Sequence, residues 1–100
     1  MHPRDANDWD WDAGNEGELA AHRIATWEVE ELFAADPVWV RNKKAGAGEW
    51  KMVGRTPAGR ALTVVVTVNP DTCQVRAVTG WDATTGEQTK YLRKRRGKMR

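Results

Sequence analysis

The sequence predicts an α+β protein with two N-terminal helices, a four-stranded antiparallel sheet and a basic C-terminal helix. Apolar residues recur at helical spacing early in the chain. β-branched and aromatic runs separated by turn residues follow, and then a helix-capping motif precedes a basic run. Because 100 residues suit one hydrophobic core, we expect residues 9–100 to form a single domain behind a flexible tail at residues 1–8.

Two helices are expected in the first third of the chain. Asn15 stands three residues before Glu18, the spacing of an N-cap and its reciprocal acid. Thr26 is the predicted cap of the second helix, whose acidic first turn suits the positive end of the helix dipole. That helix should end at Asp36, because a residue before proline avoids the α region. The apolar positions are Leu19, Ala20 and Ile24 in the first helix and Val29, Leu32 and Phe33 in the second.

The central part of the chain changes to the pattern of strands. Four runs rich in β-branched and aromatic residues are separated by segments rich in Gly, Pro, Asn and Asp. The third run is the most apolar and is therefore expected to be central. Thr84 and Glu87 then have the spacing of a capping box and predict a final helix. The predicted strands are residues 38–40, 49–53, 60–68 and 74–79.

The charges of the chain are strongly segregated. Residues 1–36 contain two basic and ten acidic residues, whereas residues 37–100 contain fourteen basic and four acidic residues. The net charges of the two parts are therefore −8 and +10. Residues 90–100 contain seven basic residues and no acid, which favours binding to a polyanion such as RNA in a salt-dependent manner. The predicted RNA-contacting residues are Lys43, Lys44, Lys90, Arg93, Lys94, Arg95 and Arg96, together with Trp81.

Several classes of protein do not fit the composition. The lone Cys73 excludes an intramolecular disulfide and a multi-cysteine zinc site. The acidic N-terminus has no apolar signal region, and the longest apolar run is too short to cross a bilayer. We therefore expect a cytoplasmic protein without membrane association.

Short motifs occur in a characteristic order along the chain. They are Trp11-Asp12, His22, Glu28 to Phe33, Asp36-Pro37, Gly54-Arg55-Thr56, Gly59-Arg60, Arg76 to Thr79, Ala83-Thr84, Glu87 and Tyr91. With these motifs the chain resembles, from about Trp9 onward, the BrnT-like toxins of bacterial type II toxin–antitoxin systems. That resemblance implies a RelE-like fold and metal-independent endoribonuclease activity without a cofactor. It also implies a DNA-binding antitoxin as partner, which neutralises the toxin and represses the operon.

Cleavage of RNA by its own 2′-hydroxyl needs a proton acceptor, a proton donor and cations for the phosphorane. Lys51 and Arg55 are four residues apart on one predicted strand and so share a face of the sheet. With Arg76 on a nearby strand they would form a cationic floor for phosphate. An ordinary solvated sheet face is the alternative interpretation.

The remaining candidates carry proton-transfer or stacking chemistry. Glu87 and Tyr91 are at i, i+4 on the predicted last helix, where Glu87 either accepts a proton or closes the capping box, and Tyr91 either contacts RNA or packs on the sheet. His22 is an acid–base candidate or a packing residue. Trp81 stands where relatives carry arginine, and either stacks on a base or fills the core.

The sequence thus predicts an endoribonuclease toxin with Lys51, Arg55, Arg76, Glu87 and Tyr91 as catalytic residues. A homodimer or a hetero-oligomer with the antitoxin is its expected assembly. A non-catalytic RNA-binding module and, ranked below it, a DNA-binding or antitoxin-assembly protein are the alternatives.

Overall fold

A computed structural model describes residues 1–42 and 50–93 of the chain. The predicted RNA contacts at Lys43, Lys44, Lys94, Arg95 and Arg96 lie outside these residues. The described residues confirm the α+β class, with helices packed against a mixed sheet.

Five strands occur within the described residues, in the order β1-β5-β4-β3-β2. The four predicted strands correspond to β2 to β5, which form an antiparallel meander with β4 between β3 and β5. The expectation of a four-stranded sheet is corrected by β1, which pairs with β5 in parallel. The strands are β1 (Asp8–Trp9), β2 (Val38–Arg41), β3 (Trp50–Arg55), β4 (Ala61–Asn69) and β5 (Gln74–Asp82).

Residues 1–8, which were expected to form a flexible tail, contain a short 3₁₀ helix and the start of a strand. A 3₁₀ turn at Pro3–Asp5 buries Pro3, and Asp8 then pairs with Gln74. The amide N–H of Asp10 donates to the Val75 carbonyl at 2.9 Å and continues this pairing. A two-residue strand is too short to show an alternating pattern, which explains why the sequence did not reveal it.

The two N-terminal helices cover one face of the sheet, here called the inner face. They are α1 (Ala13–Ala21) and α2 (Thr26–Ala34). Leu62, Val64 and Val66 of β4 alternate toward this face and are fully buried. They belong to the core cluster, to which the two helices and the turn between them contribute Leu19, Ile24, Val29 and Leu32.

The caps of the helices differ from those predicted. Asp12, not Asn15, caps α1: its Oδ1 accepts from the Asn15 N–H at 3.1 Å, and Asn15 Oδ1 accepts from the Asp12 N–H at 2.8 Å. Ala25, not Thr26, is the N-cap of α2, and Glu28 Oε1 accepts from its N–H at 3.0 Å. The side chain three residues into each helix therefore bonds back to the cap, as in a capping box.

The C-terminal helix begins as predicted but changes its winding. Thr84 caps α3 (Thr85–Glu87) with a reciprocal bond pair to Glu87. From Gln88–Arg93 the chain continues as a π-helical segment. Leu92 of this segment is nearly buried and packs beside β3.

The face of the sheet opposite α1 and α2 is called the outer face. Alternation along the strands places Lys51, Val53, Thr63 and Val65 on it, and the register sets Thr63 opposite both Val53 and Trp81. The C-terminal helix lies against this face, because Glu87 hydrogen-bonds to Thr63. The pairing of β4 with β5 is irregular between Val65 and Val66: Val65 lies opposite Thr79, but Val66 lies opposite Ala77.

Candidate functional site

The carboxylate of Glu87 is the centre of a hydrogen-bond cluster on the outer face. Its Oε1 accepts from Thr63 Oγ1 at 2.8 Å, from Trp81 Nε1 at 3.1 Å and from the Thr84 N–H at 2.9 Å. Thr63 is fully buried and Trp81 is half-buried. The cluster therefore closes the capping box, fastens α3 to the sheet and fixes the indole of Trp81 in one position.

The environment of Glu87 keeps its side chain ionised. Burial raises the pKa of the carboxyl group, but the hydrogen bonds from Thr84, Thr63 and Trp81 and the nearby charge of Lys51 together outweigh that effect. The net result is a pKa below the ordinary value for glutamate. At neutral pH the outer face thus presents a carboxylate close to an ammonium group.

Lys51 and Arg55 lie on β3, two alternations apart. Lys51 is half-buried and stands in the register between Val40 and Val65. Arg55 is exposed at the end of the strand, where its Nη2 donates to Gln88 Oε1 at 3.3 Å. Both cations therefore flank the C-terminal helix, and Lys51 is the one whose charge acts on Glu87.

Arg76 does not join this group. Its Nη1 donates to Asp12 Oδ2 at 2.8 Å, its Nη2 donates to Asp12 Oδ1 at 3.1 Å, and Nη1 also lies 3.4 Å from Asp10 Oδ2. The hydrogen bond from Arg76 is the largest cause that lowers the pKa of Asp12 to about 2. The expected cationic floor of Lys51, Arg55 and Arg76 is corrected accordingly, since β1 and the cap of α1 bring two carboxylates to Arg76.

Tyr91 and Lys90 belong to the π-helical segment. The Lys90 ammonium lies 5.4 Å from the centroid of the half-buried Tyr91 ring. The predicted pairing of Glu87 with Tyr91 rests on an α-helical turn, and the winding changes to π-helical at Gln88. Arg93, another predicted RNA contact, is the last residue of this segment.

His22 lies away from the outer face. It follows α1, and its Nε2 is 3.4 Å from Glu18 Oε2, which also accepts from Thr79 Oγ1 at 2.7 Å. This exposed pair belongs to the helical side of the molecule. The structure therefore does not bring His22 together with Lys51 or Glu87.

Arg60 has a structural role that the sequence did not indicate. Its Nη1 donates to Glu28 Oε1 at 2.9 Å and to the Arg23 carbonyl at 2.8 Å, and its Nε donates to Asp82 Oδ1 at 2.8 Å. These bonds connect the start of α2 with the ends of β4 and β5. The Gly59-Arg60 motif marked this residue, but only the fold shows which carboxylates it meets.

A pocket of about 420 Å³ lies where the loop after α2, the end of β3 and the π-helical segment meet. Arg55 stands at this pocket, and Val53, Gly54 and Leu92 form part of its wall. A methyl group on Gly54 would approach the Cδ1 of Leu32 to 3.0 Å, so the strand backbone here packs tightly against α2. The pocket therefore opens a concave surface next to the cation of Arg55.

No family model, curated protein or solved structure matches this chain. Within the described ranges, no three His, Cys, Asp or Glu side chains cluster in a way that suits a metal ion. Neither do the helices of those ranges include one long and apolar enough to span a bilayer.

Proposed function

We propose that this protein is the toxin of a type II toxin–antitoxin pair and that it cleaves RNA on the outer face of its sheet. The observation that carries the proposal is the juxtaposition of the Lys51 ammonium, the ionised Glu87 carboxylate and the Trp81 indole on one surface. The order of sequence motifs that resembles the BrnT-like toxins supports the same function. Under this proposal the protein acts in the cytoplasm and is neutralised by a DNA-binding antitoxin.

The two oxygens of Glu87 have different environments. Three donors among the described residues form hydrogen bonds to Oε1. Oε2 therefore faces the substrate as the proton acceptor for the 2′-hydroxyl group of RNA. The lowered pKa of Glu87 makes it a weaker base than an ordinary glutamate but keeps it ionised at every pH near neutrality.

Cations and aromatic rings supply the remaining functions. Lys51 stabilises the charge that develops on the phosphorane, and Arg55 binds the adjacent phosphate. Tyr91 either donates a proton to the leaving 5′-oxygen or stacks on a base, and the fixed ring of Trp81 stacks on a neighbouring base. Arg76 is left out of the proposed reaction because Asp12 and Asp10 hold its guanidinium group.

A non-catalytic RNA-binding protein is the second candidate function. The observation that favours it is that Glu87 Oε1 already accepts hydrogen bonds from the sheet and from the helix cap. These bonds give Glu87 a structural role that needs no catalysis. Trp81 in place of the family's arginine removes one cation from the proposed reaction and adds a stacking surface. Both functions use the same outer face, so the distinction lies in whether RNA is cut.

The test compares Lys51→Met and Glu87→Gln with Lys90→Met, which removes a charge from the C-terminal segment outside the cluster. We expect Lys51→Met to lower the rate of RNA cleavage by about 100-fold or more while the affinity for RNA changes only a few fold. Lys90→Met should weaken binding and cleavage by the same small factor, with a shallower dependence on salt. Absence of cleavage by the wild-type protein, with RNA binding retained, would establish the second candidate instead.

A further inference from the structure

A second pocket lies beside β1, on the opposite edge of the sheet from β2. It has a volume of about 280 Å³, and its aromatic wall consists of Trp9, Trp11 and Phe33. The rings of Trp9 and Trp11 are stacked with centroids 5.4 Å apart, and Phe33 meets Trp9 edge to face at 5.3 Å. All three rings are only half-buried. Part of each aromatic residue therefore remains open to solvent in a defined arrangement of rings.

Two exposed carboxylates complete this pocket, here called the aromatic pocket. Glu30 Oε2 accepts from Trp11 Nε1 at 2.8 Å, and Asp8 Oδ1 accepts from the Trp9 N–H at 2.8 Å. Glu30 is thus held at the indole of Trp11, and Asp8 is held at the backbone of Trp9. Throughout residues 1–42 and 50–93, the ion pairs of the molecule include neither Asp8 nor Glu30. Their negative charges are therefore not neutralised by a described cation.

We propose that the aromatic pocket binds an arginine or lysine side chain from a basic segment of a partner protein. The negative faces of aromatic rings attract cations, and carboxylates at the rim add charge-assisted hydrogen bonds to the same group. This combination repels phosphate, so the ligand differs in charge from the RNA proposed for the outer face. The inference depends on the geometry of the aromatic pocket and is independent of the proposed ribonuclease activity.

The charge of the surrounding chain favours a peptide over a small isolated amine. Residues 1–36, which supply nearly all of the aromatic pocket, carry a net charge of −8. Arg76 and Arg60 offset part of this charge at Asp10, Asp12 and Glu28. A segment with several basic residues is attracted by the remaining acidic side chains, and one of its own side chains enters the pocket. The partner is therefore expected to show a run of Arg or Lys and not a single cation.

The experiment uses the full chain and follows the indole N–H signals of its tryptophans by NMR. The probe is a ten-residue peptide of alternating arginine and glycine, and the control peptide has neutral citrulline in place of each arginine. We expect the signals of Trp9 and Trp11 to shift in a saturable way with the arginine peptide alone. Trp27, which is 60% exposed on α2 and outside the aromatic pocket, should remain unshifted.

Matched variants on α2 separate the pocket from general charge attraction. Glu30→Gln keeps an oxygen that accepts the Trp11 indole N–H and removes the charge, and we expect it to weaken binding by about fivefold. Phe33→Leu should weaken binding to a similar degree by removing an aromatic ring. Glu31→Gln makes the same change of charge on the next, also exposed residue and should leave the affinity unchanged.

Three results would overturn the proposal. These are equal binding of the citrulline peptide, equal weakening by Glu31→Gln and Glu30→Gln, and equal shifts of all tryptophan signals. Thermal unfolding of each variant, with a midpoint close to that of the wild type, ensures that a lost signal reports on the pocket.

Discussion

Replacement of Glu87 separates its structural contribution from its proposed chemical one. Alanine removes both carboxylate oxygens, whereas glutamine keeps a carbonyl oxygen that can replace Oε1 as acceptor. The three donors to Oε1 are the Thr63 hydroxyl, the Trp81 indole and the Thr84 N–H. Glu87→Ala removes the acceptor of all three donors, whereas Glu87→Gln keeps an acceptor for each of them.

The expected loss of stability follows from the burial of these donors. A hydrogen bond contributes roughly 0.5–1.5 kcal/mol net, and a donor that is buried without a partner costs about 1–3 kcal/mol. Thr63 is fully buried, Trp81 is half-buried, and Thr84 is an exposed residue. We therefore expect Glu87→Ala to lower the free energy of unfolding by about 3 kcal/mol, and Glu87→Gln by less than about 1 kcal/mol.

Urea denaturation followed by tryptophan fluorescence measures both values. A double-mutant cycle with Thr63→Val adds an internal check, because Thr63 and Glu87 share a hydrogen bond of 2.8 Å. The two substitutions combined should cost about 1 kcal/mol less than the sum of the single ones. If Glu87→Ala were as stable as the wild type, the cluster would not fasten α3 to the sheet and the basis of the site would be lost.

Three further predictions follow from the packing and the ion pairs. Gly80→Ala should destabilise the protein by about 1–3 kcal/mol, because its Cβ would approach a backbone carbonyl to 3.1 Å. The control is Gly17→Ala, whose Cβ would have nothing within 4 Å, and it should stabilise the protein by about 0.5 kcal/mol. Equal urea midpoints of the two variants would contradict this prediction. Arg60→Met should lower the free energy of unfolding by roughly 2 kcal/mol, because it leaves the half-buried carboxylate of Glu28 unpaired. A thermal midpoint equal to that of the wild type would refute this. The pKa of Asp12 is lowered to about 2. The contribution of the Asp12 carboxylate to stability is therefore complete above pH 3.8, its ordinary pKa, and is lost as the pH falls toward 2. Arg76→Gln should raise the pKa of Asp12, and an NMR titration that showed the same pKa in the variant would exclude the ion pair as the cause of the shift.

The sequence predicted the elements whose patterns are long and local. The run at β4 is apolar enough to identify a central strand, and the capping box at Thr84 lies where the spacing placed it. The predicted cap of α1 was wrong by three residues, because neighbouring polar side chains meet the same spacing rule. The predicted cap of α2 was wrong by one residue, because the actual cap, Ala25, has no side chain that accepts a hydrogen bond. β1 escaped detection because its pairing depends on residues far along the chain.

The candidate site was predictable in its residue types and only partly in its grouping. Lys51 and Glu87 are close enough for the charge of one to lower the pKa of the other, although they come from different elements. Arg76 was expected beside them, but the cap of α1 placed Asp12 against it. Spacing along one strand or helix fixes a shared face, whereas contacts between elements depend on the topology of the whole sheet.

The parallel pairing of β1 also determines when the fold can be completed during synthesis. Asp8 and Gln74 are 66 positions apart, so β1 has no partner strand until most of the chain has left the ribosome. Contacts between such distant residues form late because the intervening loop must be closed first. The acidic segment that contains β1 is therefore made before its partner strand and is among the last parts to be incorporated into the sheet.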